Sequence, residues 1–392
     1  MKVCVIGGGP GGLFAARLLK RSRPDAEVQV HEQNAPDATF GFGVGISMAA
    51  RDRMREYDPE VYDALAQRSL FNNRQEITLN GEALLLEYPD GGGAIRRLDL
   101  LAALSEQCRA VGVQLVHGSR IDDIDAIARE FDVVIGADGA NSAVRARFAD
   151  EFDVQTIEHG NRFAWFGAHR ALTPSGLEFI DTPDGPFVGH YYAYGESLST
   201  FVPECDEATW EASGLAAMND AERKRFIERL FAKRLGGAPL VENKSIWRTF
   251  RAAHANRWQH RNIVLIGDAL RIAHYSLGSG TRLAMEDAMA LHDALIAHED
   301  DMPAALTAFE AARRPVRDTF GAAAERSIAW YEDMRVRMRA PLVRFVHDFL
   351  TRTGRVSDER LASYAPGFHR VWLDYLAAQP SGAAQTEAHP AS

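Results

Sequence analysis

The sequence predicts an α/β protein in which a dinucleotide-binding domain is interleaved with an antiparallel-sheet domain and followed by C-terminal helices. Three observations predict it. An apolar strand, Lys2–Ile6, breaks into Gly7-Gly8-Gly9-Pro10-Gly11-Gly12 and runs on into a helix. Much later, Asn262-Ile263-Val264-Leu265-Ile266-Gly267-Asp268 reads as a second buried strand that stops at a glycine and presents one carboxylate. Between them, from Arg162 to Pro203, aromatic and β-branched residues alternate with polar ones, as in a sheet with unlike faces.

Taken in order, Leu13–Arg21 is a helix, with Leu13, Ala16, Arg17 and Lys20 at helical spacing, and Val28–His31 is a strand ending at Glu32. Asn73–Tyr88 alternates around Asn80-Gly81, a strong hairpin signal. Leu98–Val111 is helical, and Gln114–His117 and Asp132–Gly136 are strands. Phe163–Ala168, Gly189–Tyr194 and Ser197–Val202 are expected sheet strands, and Asp220–Arg234 a helix. Helices follow over Thr281–Ile296, Met302–Arg313 and Val316–Arg337, the last two separated at Pro315. The expected nucleotide domain is discontinuous, over 1–70, 95–155 and 255–330, with the sheet domain over 71–94 and 156–254. A helical segment over 331–378 and a disordered tail rich in Ala, Pro, Ser and Gly over 379–392 complete the chain.

With 392 residues, 46% hydrophobic and 25% charged, the composition is that of a large globular protein. A formal charge of -10 disfavours nucleic acid as a partner. Cys4, Cys108 and Cys205 lack metal-ligand or CxxC spacing, so no metal site is expected and a reducing, cytoplasmic setting fits. No stretch of about 18 apolar residues suggests a membrane span.

Gly7-x-Gly9-x-x-Gly12 assigns a job to each glycine: a tight turn, close backbone approach to a pyrophosphate, and close packing of helix on strand. The helix start then offers free N–H groups to phosphate. Glu32, at the end of the next strand, is placed to accept both ribose hydroxyls, which disfavours a 2′-phosphate on this loop. Arg97, with Arg96 as the competing choice, stands at a helix start from which a guanidinium reaches a pyrophosphate. Asp138-Gly139 ends a buried strand and is followed by Ser142 and Arg145, although helix capping by Asp138 or Ser142 accounts for the same residues. Gly267-Asp268, followed by Gly278-Ser279-Gly280-Thr281 at a helix start, forms a fourth element. Its aspartate suits a ribityl hydroxyl, and its helix dipole suits a flavin pyrimidine. A plain NAD dehydrogenase needs no such second element, whereas the two-ended cofactor FAD does.

Together these elements resemble the single-component flavoprotein aromatic hydroxylases of the para-hydroxybenzoate hydroxylase type, from Met1 to about Arg337. The implied nucleotide domain is of the glutathione-reductase type. Asp37–Val44, Asn161–Gly167, Ser199–Cys205 and Ala273–Thr281 are similar to salicylyl-CoA 5-hydroxylases and to the hydroxylase half of 2-aminobenzoyl-CoA monooxygenases. The tryptophan hydroxylase of violacein biosynthesis looks like a further relative. Two departures stand out. Ala269-Leu270-Arg271 replaces the Ala-Ala-His of many members, and no second oxidoreductase domain follows, which argues against an aminobenzoyl-CoA reductase activity.

The resemblance implies a monooxygenase in which NADH or NADPH binds transiently and reduces FAD. Oxygen then passes from O₂, through a flavin C4a-hydroperoxide, to an electron-rich ring such as that of salicylyl-CoA, giving gentisyl-CoA. Alternatives are an indole-type or free aromatic acid substrate, or a catalytically silent flavoprotein. The Trp-x-Trp-x-Ile-Pro signature of flavin halogenases is absent, with Ala164-Trp165-Phe166-Gly167 the nearest stretch. His190 and His274 are the candidate catalytic residues, and a core or surface role fits each as well. Trp165 and Tyr192 are candidate substrate contacts, with packing the plainer reading for Trp165. Arg51, Arg53, Arg55 and Arg74 are candidate partners for CoA phosphates. A monomer or homodimer is expected.

Overall fold

The structure, a computed structural model, describes residues 1–38, 41–299 and 301–379. Thr39 and Phe40, inside the quoted stretch Asp37–Val44, and the tail beyond Gln379 lie outside the described residues.

The first sheet has six strands in the order Gln259–His260, Ile263–Leu265, Val133–Gly136, Lys2–Ile6, Glu27–Glu32, Gln114–His117. All neighbours are parallel except the edge pair Gln259–His260 with Ile263–Leu265. Its central strands are covered on both faces, which is why they read as continuous apolar runs. The strand from the far end of the chain thus pairs with Val133–Gly136, which itself neighbours the N-terminal strand. That pairing sets Gly267 two strands from the glycine turn, at the same end of the sheet.

The helices Pro10–Ser22 and Gly280–Ala297 pack closely because their contact is made of small residues. A Cβ on Gly11 would lie 3.0 Å from the Cβ of Ala284, and one on Gly267 would meet the same atom at 3.0 Å. Inside the first helix, Arg17 is fully buried and bonds Asp58 at 2.7 Å and the Gln107 carbonyl at 2.7 Å.

The second sheet is mostly antiparallel and built around the hairpin Ser69–Leu79 and Glu82–Arg96, with Asn80 and Gly81 both at positive φ. Gly43–Ile46, from the stretch assigned by sequence to the nucleotide domain, pairs with Glu82–Arg96 and so joins this sheet. The strands Gly185–Gly195 and Leu198–Cys205 run through it side by side. One face packs Phe187, Tyr191 and Phe201 against Trp210 and Phe231. The other packs Phe179 and Val188 against Trp330, Phe345 and Phe349 of the C-terminal helices. His190 and Tyr192 share the Val188 face by alternation.

Pro315 does not divide the C-terminal helices as expected: Met302–Glu332 is one helix with the proline inside it, followed by the short Met334–Arg337. The cost of a mid-helix proline is of order 3 kcal/mol. The fixed contacts on either side offset it, since Arg313 and Arg317 both reach the buried carboxylate of Asp287. Asp287 also accepts the Gly267 N–H at 3.0 Å, and Arg317 donates to the Gly267 carbonyl at 3.1 Å. No helix among the described residues is long and apolar enough to cross a membrane.

Arg317 is 2% exposed, and Asp287 is its ion-pair partner. Asp287→Ala is therefore expected to destabilise the fold by about 3–5 kcal/mol, the cost of leaving a buried charge unpaired. Chemical denaturation measures this directly, and an unchanged midpoint would contradict it.

Candidate active site

At the amino end, Gly7 has φ +111°, and a Cβ there would lie 2.4 Å from the Ala137 carbonyl oxygen. A Cβ on Gly12 would lie 2.2 Å from the Gly7 carbonyl oxygen. These two glycines are needed by the protein itself. Gly9 is different: its nearest neighbour would be 3.9 Å away, so its bareness leaves open space beside the helix start. Gly9 caps that helix without a side-chain bond, which leaves the first N–H groups free for an anion. Glu32 stands over the turn, accepting the Gly8 N–H at 2.8 Å through Oε2 and the Asn34 N–H at 2.8 Å through Oε1.

At the other end, Asp268 follows the pinned Gly267 and accepts the Ala273 N–H at 3.3 Å. Burial pushes its carboxyl upward, against the backbone bond and nearby arginines that favour the charge. A Cβ on Gly280 would lie 4.0 Å from Asp268 Oδ1, so the bare glycine keeps the approach to the helix start open. Ser279 places no side-chain cap on that helix, and Gly278 takes the left-handed conformation that turns the loop into it. Arg145 clamps the same turn, donating to the carbonyls of Asp268 and Ala269 at 2.8 Å each.

Asp138 does cap the helix Ala143–Arg147, through Oδ2 to the N–H groups of Ala143 and Val144, while Ser142 caps Arg145. Its other oxygen, Oδ1, is buried without a partner, and burial holds the carboxyl above its ordinary value. Gly139 follows at φ +80°.

Arg97, at the start of the helix Arg97–Ala110, lies within electrostatic reach of both ends. Its guanidinium makes no hydrogen bond or ion pair among the described residues. Burial lowers its pKa, while Asp268 and Glu32 oppose that shift from either side. Arg96, one residue earlier, is exposed. A half-buried unpaired cation between two acids, two uncapped helix starts and the orphaned oxygen of Asp138 fit FAD: phosphates for the cation and amides, hydroxyls for the acids.

On the sheet side, Glu204 is 1% exposed and gathers three donors. Asn161 Nδ2 reaches Oε1 at 2.7 Å, while His190 Nε2 at 3.2 Å and the Tyr275 hydroxyl at 2.7 Å share Oε2. Burial alone would raise this carboxyl, but the His190 bond and the nearby histidines outweigh it and leave it below the usual carboxylate range. Phe163, Trp165 and Phe250 pack around Tyr275, with ring centroids at 4.6, 5.7 and 6.3 Å. Tyr192 donates to the Gly43 carbonyl at 2.8 Å, and burial pushes its phenol up to about 12.

His274 stacks on Tyr275 at 4.3 Å, and its Nδ1 is taken up by Ser276, 2.8 Å from the hydroxyl. Burial holds it down at about 4, so it is neutral near pH 7. The structure thus brings His190, His274 and Trp165 around Tyr275, with Tyr192 farther along the His190 strand.

Of the four arginines considered for CoA phosphates, three have other company, and Arg74 makes no side-chain contact of this kind among the described residues. Arg51 lies over Phe71, Arg55 over Tyr62, and Arg53 sits 3.4 Å from Glu286. Arg271, the departure noted in the sequence, turns away from the flavin turn toward Asp318 and Glu325 and lies across Gly321. Among the described residues, no cluster of His, Cys, Asp or Glu could hold a metal.

Fold and site together define a FAD-binding protein with a packed aromatic cluster, Phe163, Trp165, Phe250 and Tyr275, beside the flavin turn. The family described as FAD binding domain matches residues 122–323. The chain is 40% identical to salicyloyl-CoA 5-hydroxylase of a Streptomyces species, covering 97% of this chain and 75% of the relative. It is 36% identical to a 3-hydroxy-4-methyl-anthranilyl-[aryl-carrier protein] 5-monooxygenase of Streptosporangium sibiricum, over 94% and 98% of the two chains. The solved structure of Pseudomonas aeruginosa PqsL shares the fold, with a TM-score of 0.67 at 22% identity over 85% of this chain and 97% of that one. The chain belongs to the FAD-dependent aromatic monooxygenases, and it is a flavoprotein that hydroxylates an aromatic ring.

Sequence reasoning placed Ala284 on the core-facing side of its helix but missed Glu204 and Tyr275. Alternation along Leu198–Cys205 puts Glu204 on the same face as Val202 and Thr200, and an acid on a strand otherwise buried was the available signal. Arg97→Met should weaken FAD binding roughly tenfold to hundredfold, the worth of a hydrogen bond to a charged group. Flavin titration of the apoprotein would show it; wild-type affinity would remove Arg97 from the site.

Proposed function

We propose that the substrate is a phosphopantetheinyl thioester of 2-hydroxy- or 2-aminobenzoate, salicylyl-CoA being the prototype, and that oxygen enters para to the 2-substituent. One observation carries this reading. Two relatives aligned over nearly the whole chain are named as 5-hydroxylases of a salicyloyl and an anthranilyl thioester. Position 5 lies para to the hydroxyl of the one and the amine of the other, where each donates electron density.

FAD, when bound, supplies the redox chemistry, taking electrons from NADH or NADPH and delivering an electrophilic oxygen derived from O₂. The protein's own residues orient the ring and keep water out. Phe163, Trp165, Phe250 and Tyr275 supply aromatic walls. Trp165, packed beside Tyr275, and Tyr192, on the His190 strand, are assigned as the ring's contacts. Of the two histidines, His190 is assigned to the 2-substituent, because Glu204 fixes its Nε2, its Nδ1 is left without a partner among the described residues, and it is less deeply buried than His274. His274 has its Nδ1 committed to Ser276 and serves as packing beneath the flavin loop. Glu32, Arg97, Asp138 and Asp268 hold the cofactor, Gly9 and Gly280 leave room for it, and Gly7, Gly12, Gly139 and Gly278 shape the turns that present them.

Oxidation of NADH and NADPH should be followed with salicylyl-CoA, 2-aminobenzoyl-CoA, free salicylate and tryptophan. The expected result is turnover of the thioesters, with a product one oxygen heavier and hydroxylated at position 5. Preference for a free acid or for tryptophan would overturn the substrate assignment.

A further inference from the structure

Glu204 is not needed for the pairing of its own strand. It sits inside a sheet whose backbone is already paired, and burying a carboxylate there carries a desolvation penalty unless hydrogen bonds offset it. Its three donors come from three separate elements: Asn161 on Val154–Phe163, His190 on Gly185–Gly195, and Tyr275 in the loop before Gly280–Ala297. Two of them meet on a single oxygen. An ionised carboxylate only accepts hydrogen bonds, so the His190 hydrogen toward Glu204 must be on Nε2. Nδ1 of His190 then has no hydrogen-bond partner among the described residues.

We propose that Glu204 is a positioning residue for ring hydroxylation. By holding His190 Nε2–H and the Tyr275 hydroxyl on one oxygen, it presents the bare Nδ1 of His190 to the substrate's 2-hydroxyl as a proton acceptor. The proposal rests on the thioester reading above. In this step the substrate O–H bond breaks and an Nδ1–H bond forms. The oxygen keeps the electron pair and passes density into the ring, enriching the para position. Nothing is oxidised or reduced, and the imidazolium formed is neutralised by Glu204. Tyr275 makes the arrangement depend on the flavin loop, so the acceptor is aligned only when that loop is docked. The charged and titratable groups facing His190 are Glu204, Tyr275 and Tyr331, with His274 behind Tyr275 and Arg352 5.7 Å from the Tyr331 ring.

A 2-aminobenzoyl ring needs no such acceptor, because its nitrogen lone pair already donates and no N–H bond has to break. Glu204→Gln is therefore expected to lower kcat for hydroxylation of salicylyl-CoA by about 100-fold and that of 2-aminobenzoyl-CoA by less than about threefold. KM should be little changed, and the acidic limb of the salicylyl rate profile should move to lower pH, since the imidazolium loses its counter-charge. Tyr275→Phe should move that limb the opposite way, to higher pH, because Glu204 loses a competing donor. Equal losses on both substrates, or no loss on either, would overturn the proposal. If Glu204→Gln fails to retain FAD, an unmoved limb in Tyr275→Phe would overturn it equally. Wild-type enzyme that hydroxylates neither thioester would instead sink the substrate reading, and the role of Glu204 with it.

Discussion

The buried ion pair between Asp287 and Arg317 is the interaction on which the site depends. It closes on the backbone of Gly267 from both sides, taking the N–H through Asp287 and the carbonyl through Arg317. Gly267 is where the last central strand of the parallel sheet must turn sharply, at φ +61°. With that turn fixed, Asp268 projects toward the cleft and the chain reaches Gly280 in position to start a helix. Ala284 in that helix then meets both Gly11 and Gly267, so two helix N-termini are packed together by one methyl group. A replacement for Asp287 would disturb cofactor geometry as well as stability.

A second buried carboxylate organises the other wall. Glu204 ties the sheet to the flavin loop as Asp287 ties the long helix to the flavin turn. The two carboxylates differ in what surrounds them. Asp287 is matched by cations and is purely architectural, whereas Glu204 is matched by a histidine, a tyrosine and an amide, groups that can change protonation or partner. Its distinctness from Asp287 is the reason to read function into one and stability into the other.

Much of the nucleotide fold was legible because its signals are local. The glycine turn, the Asn80-Gly81 hairpin and the alternation after Arg162 each declare themselves within a few residues. What was not legible depends on long-range pairing. Ala284 and Asp287 sit in an ordinary amphipathic helix, and Glu204 lies in a strand whose buried partners are over forty positions away for Asn161 and over seventy for Tyr275. Pro315 misled because a local breaker was overruled by arginines on each side of it that share one distant aspartate. The sequence favoured Arg97 with Arg96 as its competitor, and the junction of strand and helix sends Arg96 to solvent and leaves Arg97 half-buried within reach of Asp268 and Glu32. His190 and His274 were equal on paper; only their partners separate them.

The central claim is that both halves of the chain clasp one FAD. Amide hydrogen exchange of the apoprotein, with FAD and with ADP added, tests it most directly. FAD is expected to slow exchange at both Gly7–Gly12 and Gly278–Leu283, and ADP at the first segment alone. Protection of only one segment by FAD would contradict the account.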